Sequence, residues 1–110
     1  MKQTKSRFFN LMKAKKPVMD GNKPRNGIQF VIFYNKFGYT KINCILNWQD
    51  GFLNSSYNIP AVQMEDGHTE YWENGVLSNT QLDIEGNQMP AVFSDGGEIK
   101  EYWVNGKRIK

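Results

Sequence analysis

One cysteine and one histidine are all that this chain of 110 residues offers to thiol or imidazole chemistry. Cys44 has no second cysteine for an internal disulfide, and no Cys/His spacing matches a zinc site. No metal or other cofactor is expected, and a reducing, cytoplasmic setting is the simplest reading. No long apolar run is present. In residues 1–16 only Phe8, Phe9, Leu11 and Met12 form a broken apolar group, too short for a signal peptide or a membrane span, so a soluble protein without membrane contact is expected. No glycine-rich phosphate loop precedes a helix. The size fits one domain with one core.

Acidic residues are scarce at one end. Residues 1–25 hold eight Lys and Arg against Asp20 alone, for +7, whereas from residue 26 onward six basic residues face ten acidic ones, for −4. Such a basic arm on an acidic body could grip nucleic acid through Lys2, Lys5, Arg7, Lys13, Lys15 and Lys16, but docking of the arm on its own body is the favoured expectation.

The body repeats itself. "PAVQMEDGHTEYWENGVL" (60–77) aligns with "PAVFSDGGEIKEYWVNGKR" (90–108), sharing Pro-Ala-Val, Asp-Gly, Glu-Tyr-Trp and Asn-Gly. Pro60 and Pro90 are 30 residues apart and Trp72 and Trp103 are 31 apart, with the extra residue in "SDGGEI". "LNWQDG" at 46–51 repeats the Trp-x-Asx-Gly element, which makes 46–59 a degenerate copy ahead of 60–89 and 90–110.

Asp-Gly and Asn-Gly supply the two positive φ angles of a type I′ turn, so each copy is expected to form β-hairpins, and consecutive hairpins make a meander. "GIQFVIFYN" is apolar on both faces and suits a central or doubly covered strand. In "YTKINCILNWQ", Ile42, Cys44, Leu46 and Trp48 share one face. The one helical pattern, "KSRFFNLMKAKK", is the natural lid for the sheet, and "KPVMDGNKPRNG" follows as a polar connector. The fold class is therefore all-β, an antiparallel hairpin-repeat sheet over 27–110 preceded by a basic arm with one short helix over 1–26.

The units "PAV…DG…EYW.NG" resemble variant MORN-like repeats of bacterial, phage and large-DNA-virus proteins, over about residues 46–110. The resemblance implies β-hairpin units and contact with partners, and includes chains labelled as antitoxins. It departs from the membrane-associated form, whose shorter unit spaces Gly and Trp differently, so lipid binding does not carry over.

Catalysis is not expected. His68 follows Asp66-Gly67 and has the position of a solvated turn residue, Cys44 falls on an apolar strand face, and Glu65 with Asp66 or Glu98 with Glu101 belong to the solvated edge of a sheet. Trp72 and Trp103, at one fixed repeat position, are expected in the core. Strand alternation then turns Tyr71 and Tyr102 to the other face, where, flanked by Glu70, Glu73 and Glu101, they are the candidate contacts for a protein partner. Those acids would repel a phosphate backbone. The expectation is a non-catalytic protein-binding module, such as a phage or mobile-element inhibitor of a host or defence enzyme, with a nucleic-acid-binding accessory protein and an antitoxin as alternatives.

Overall fold

Asp50-Gly51, Asn74-Gly75 and Asn105-Gly106 each adopt two successive left-handed residues, with φ of 53° and 86°, 51° and 85°, and 50° and 79°. These are the type I′ turns that the sequence calls for, and each closes a hairpin. The computed structural model describes residues 4–34, 40–56 and 58–110. In chain order it contains α1 (Phe9–Ala14), β1 (Met19–Asp20), β2 (Lys23–Pro24), β3 (Gly27–Tyr34), β4 (Lys41–Gln49) and β5 (Phe52–Leu53). Then come β6 (Val62–Met64), β7 (Thr69–Glu70), β8 (Trp72–Glu73), β9 (Val76–Leu77), β10 (Val92–Ser94), β11 (Ile99–Glu101), β12 (Trp103–Val104) and β13 (Lys107–Arg108), with a short 3₁₀ turn at Asp95–Gly97. The fold is all-β, with antiparallel pairing throughout and one short helix near the N-terminus.

A main sheet has the order β11-β10-β7-β6-β4-β3, with β5 also on β4. The strands do not continue as one meander. At Tyr71 and Tyr102 the chain leaves this sheet, and β8-β9 and β12-β13 form hairpins of their own. The backbone bonds change partner there: Tyr71 N–H donates to Ala91 O, and Tyr71 O accepts from Ser78 N–H.

The hairpins stack on one another by repeated bonds. Gly75 N–H donates to Leu53 O, and one unit later Gly106 N–H donates to Leu77 O; likewise Ser55 N–H reaches Trp72 O and Asn79 N–H reaches Trp103 O. Close approach requires glycine at the turn. A Cβ on Gly75 would sit 2.5 Å from the Phe52 ring, and one on Gly51 would sit 2.5 Å from Pro17 Cβ. The segment expected as a polar connector extends this stack. β1 and β2 pair around Gly21, Gly51 N–H donates to Arg25 O, and Asp50 N–H donates to Asn26 Oδ1, as Asn74 N–H does to Asn54 Oδ1. The Asp66-Gly67 turn differs from expectation: only Gly67 is left-handed, and its N–H donates to Met64 O.

The core is formed by Cys44, Leu46, Trp48, Leu53, Val62, Trp72, Leu77, Val92 and Trp103 with their small neighbours. Phe8, Phe9, Leu11 and Met12 of the arm and α1 pack against it as the lid. The helix starts later than the sequence pattern allows because residues 4–7 are not helical and are bonded to Glu101 and Glu70, and it stops at Lys15, which is left-handed at φ 55°. β3 is not a central strand. It lies at the sheet edge, with Val31 and Phe33 inward and Ile28, Phe30, Ile32 and Tyr34 exposed.

Trp72 is fully buried and Tyr102 half-buried. Trp72→Ala is therefore expected to cost about 3–5 kcal/mol in chemical denaturation and Tyr102→Ala much less. Equal losses would contradict this packing.

Candidate functional site

Strand parity places His68, Glu70 and Trp72 on one face, and all three point inward. This corrects two expectations: His68 is not solvated, at 1% exposure, and Glu70 and Glu101, at 0% and 2%, are not surface contacts. Glu70, Val92 and Glu101 are cross-strand neighbours in one row, which continues through Val62 to Leu46.

Each buried carboxylate accepts the indole N–H two residues later, Trp72 Nε1 on Glu70 and Trp103 Nε1 on Glu101, both at 2.9 Å. In the degenerate copy Leu46 replaces the glutamate, and Trp48 Nε1 donates instead to Gln29 Oε1 at 3.0 Å. The arm supplies the remaining donors with the same geometry twice. Thr4 Oγ1 and Lys5 N–H bind Glu101, both at 2.6 Å, and Ser6 Oγ and Arg7 N–H bind Glu70 at 2.8 and 2.7 Å. With His68 Nε2 at 2.6 Å, Glu70 has four partners, enough for the lone pairs of an ionised carboxylate. Among the described residues no buried side-chain nitrogen or oxygen lacks a partner.

His68 Nδ1 lies 3.0 Å from Ser94 Oγ, which completes a hydroxyl–imidazole–carboxylate chain. The residue types match nucleophilic hydrolases, but the ring is reversed relative to their usual arrangement, and Ser94 is only 5% exposed. Buried in this way, the chain orients the side chains that meet in the core. Among the described residues no three His, Cys, Asp or Glu are placed to hold a metal, and no helix is long and apolar enough to cross a membrane.

The arm's cations divide in the same way. Lys5 and Arg7 are held through their backbones, and Arg7 Nη1 bonds Asp66 Oδ2 at 3.0 Å. Partial burial works against the Asp66 carboxylate, but the His68 backbone N–H and the Arg7 guanidinium outweigh it and hold its pKa below the usual value. The side chains of Lys5 and Arg7 are nevertheless exposed, as are Lys13, Lys15 and Lys16, and Lys2 lies outside the described residues. Tyr71 and Tyr102 are half-buried: burial raises the Tyr71 pKa, and Lys110 Nζ stands 4.9 Å over the Tyr102 ring. Glu73 accepts from Thr80 Oγ1 at 3.3 Å.

Four of the nine large exposed apolar side chains among the described residues gather elsewhere. Ile28, Phe30, Ile32 and Tyr34 are 63%, 77%, 52% and 64% exposed on the outer face of β3. Beside them lies an open hollow of about 550 Å³. Asn43 and Ile45 floor it, with Phe30 and Ile32 on one side and Gln63 and Glu65 on the other. Glu65 is fixed at the rim by Asn43 N–H and Nδ2 at 3.1 and 3.2 Å. Sequence reasoning missed this face because β3 was assigned a second covering layer. The signal was there in its apolar residues on both parities, for which the chain has only one helix to spend.

No family model, curated protein or solved structure matches this chain.

Two outcomes test the buried network. Glu70→Gln keeps the shape but turns one acceptor into a donor, so a loss of about 1.5–3 kcal/mol and faster tryptic cleavage after Lys5 and Arg7 are expected. Unchanged cleavage would mean that the carboxylate does not hold the arm. Burial, with the Glu70 charge adding to it, pushes the Cys44 thiol up to about 11. An unfolded thiol ionises near about 8.5, so above that pH the unfolded state loses a proton that the folded state keeps. Stability should fall as pH rises through that window, and less so in Cys44→Ala, measured as the pH dependence of the melting temperature.

Proposed function

We propose that this chain is a non-catalytic protein-binding module of the MORN-like hairpin-repeat kind, which engages its partner through the outer face of the sheet around Phe30, Ile32 and Ile45. The observation that supports this reading is the hollow beside four exposed apolar side chains. Singly scattered surface apolar residues are ordinary, but a contiguous patch around a recess is the usual form of an interaction site. The partner that fits presents an apolar anchor for the hollow and a hydrogen-bond donor for the Glu65 carboxylate. Action by occupancy suits an inhibitor of another protein, or an antitoxin, since either needs only to cover a surface. Tyr71 and Tyr102 become secondary candidates because they are half-buried. The nucleic-acid reading keeps Lys5, Arg7, Lys13, Lys15 and Lys16 as exposed cations, but Arg7 is already paired with Asp66 and the acidic body lies beside the arm.

The test is affinity capture from a native lysate with the parent chain, Ile45→Glu and Tyr102→Ala. Ile45 lies on the outer face at the hollow floor, so Ile45→Glu should keep the melting temperature and lose the captured protein, while Tyr102→Ala keeps it. Recovery of nucleic acid in its place, weakening steeply with salt, would overturn the proposal in favour of the arm.

A further inference from the structure

The two edges of the main sheet are built differently. β11 is three residues long and carries Lys100 on its outer face, the usual protection of an exposed edge. β3 is eight residues long, Gly27–Tyr34, with no charged residue and no proline. Its backbone can be phased from its neighbours. Asn47 N–H donates to Ala61 O, and Glu65 N–H donates to Asn43 O, so the odd residues of β4 bond towards β6. The even residues of β4 therefore bond towards β3, where Ile42, Cys44 and Leu46 stand opposite Phe33, Val31 and Gln29. That leaves Ile28, Phe30, Ile32 and Tyr34 directing N–H and C=O to the outer edge, where no strand among the described residues pairs with them. The residues with exposed side chains are the same ones with outward-facing backbone groups.

We infer that β3 pairs antiparallel with β3 of a second copy of this chain, about a twofold axis at Val31. The inference rests on the reading of β3 as an interaction strand and names the partner of its edge, leaving the outer face for another protein. Three features favour a second copy. The strand is uncharged, so placing it against itself brings no like charges together in any register. Arg25, just before it, is paired with Asp20 at 2.7 Å. With Val31 opposite itself, Ile28 faces the partner's Tyr34 and Phe30 faces the partner's Ile32. Every open-edge residue is then in a hydrogen-bonded pair, and outer faces stay together because pairing preserves parity. A C2 interface of this kind closes on itself, so it ends at a dimer where an unmatched edge would propagate.

Sedimentation equilibrium of the full chain should give twice the 12.8 kDa of one copy, independent of salt up to molar concentration. Ile32→Pro removes only an N–H that points to the open edge, so it should leave the β3–β4 pairing and give a folded monomer; Ile32→Lys serves if the proline variant fails to fold. The register is tested by mixing Phe30→Cys and Ile32→Cys chains, since hydrogen-bonded pairs stand about 5.5 Å apart at Cα, within disulfide reach. A disulfide dimer should form in the mixture and not from either variant alone. A monomer at all concentrations, or a dimer unaffected by both Ile32 variants, would overturn the inference. Because Ile45 is not on the edge, a parent chain that stays monomeric yet keeps Ile45-dependent capture would reject the self-pairing and leave the binding face standing.

Discussion

Two buried glutamates determine how the rest of the molecule is arranged. An indole N–H enclosed in an apolar core needs an acceptor, and in two of the repeat units the acceptor is the carboxylate two residues earlier on the same strand face. A carboxylate taken out of water then needs more donors than one indole supplies. The arm meets that need: the alternate residues Thr4 and Ser6 supply hydroxyls, the residue after each supplies a backbone N–H, and the two sets lie across the two units in register. Where the degenerate copy carries Leu46, this requirement disappears and the arm changes character. Phe8 follows Arg7 and meets Phe33 edge-on at 5.4 Å, and α1 begins.

The same repeat that places the glutamates also sets the hairpin stack. Each turn glycine lets one hairpin come close enough to bond to the carbonyls of the one before it, and the pattern runs from Pro17 and Val18 through Phe52 to Val76. The sheet and the stack share their strands only up to the tyrosines. There the backbone transfers its bonds from the sheet to the next unit, so Tyr71 and Tyr102 sit at a hinge of the architecture, half-buried, rather than on a flat outer face.

With the inner face devoted to the arm, α1 and the Ser94–His68–Glu70 chain, the polar chemistry of the molecule is consumed in holding the fold. The outer face of the sheet carries no part of that network. Its exposed apolar side chains are on β3, with half-buried Ile45 beside them and half-buried Phe93 further along among the more polar Gln63, Thr69 and Lys100. A satisfied interior is thus separated from an apolar strand whose outer side chains are exposed.

Local chemistry was legible in the sequence. The all-β class, the three type I′ turns, the repeat at 60–77 and 90–108, the lid helix and the buried tryptophans follow from turn residues, alternation and spacing, which act over a few residues. The inward position of Glu70 and His68 was also legible, since both share the parity of Trp72; it was obscured by the expectation that charge and a turn histidine belong in water. Tertiary structure decided the rest. Only the assembled sheet brings Thr4 to Glu101 across 97 positions of sequence, and only then does a buried carboxylate find its donors. Only strand order puts β3 at an edge. Its pattern of apolar residues on both faces is the same for a strand buried in a sheet and for one left open, because alternation fixes which way side chains point and not what covers them.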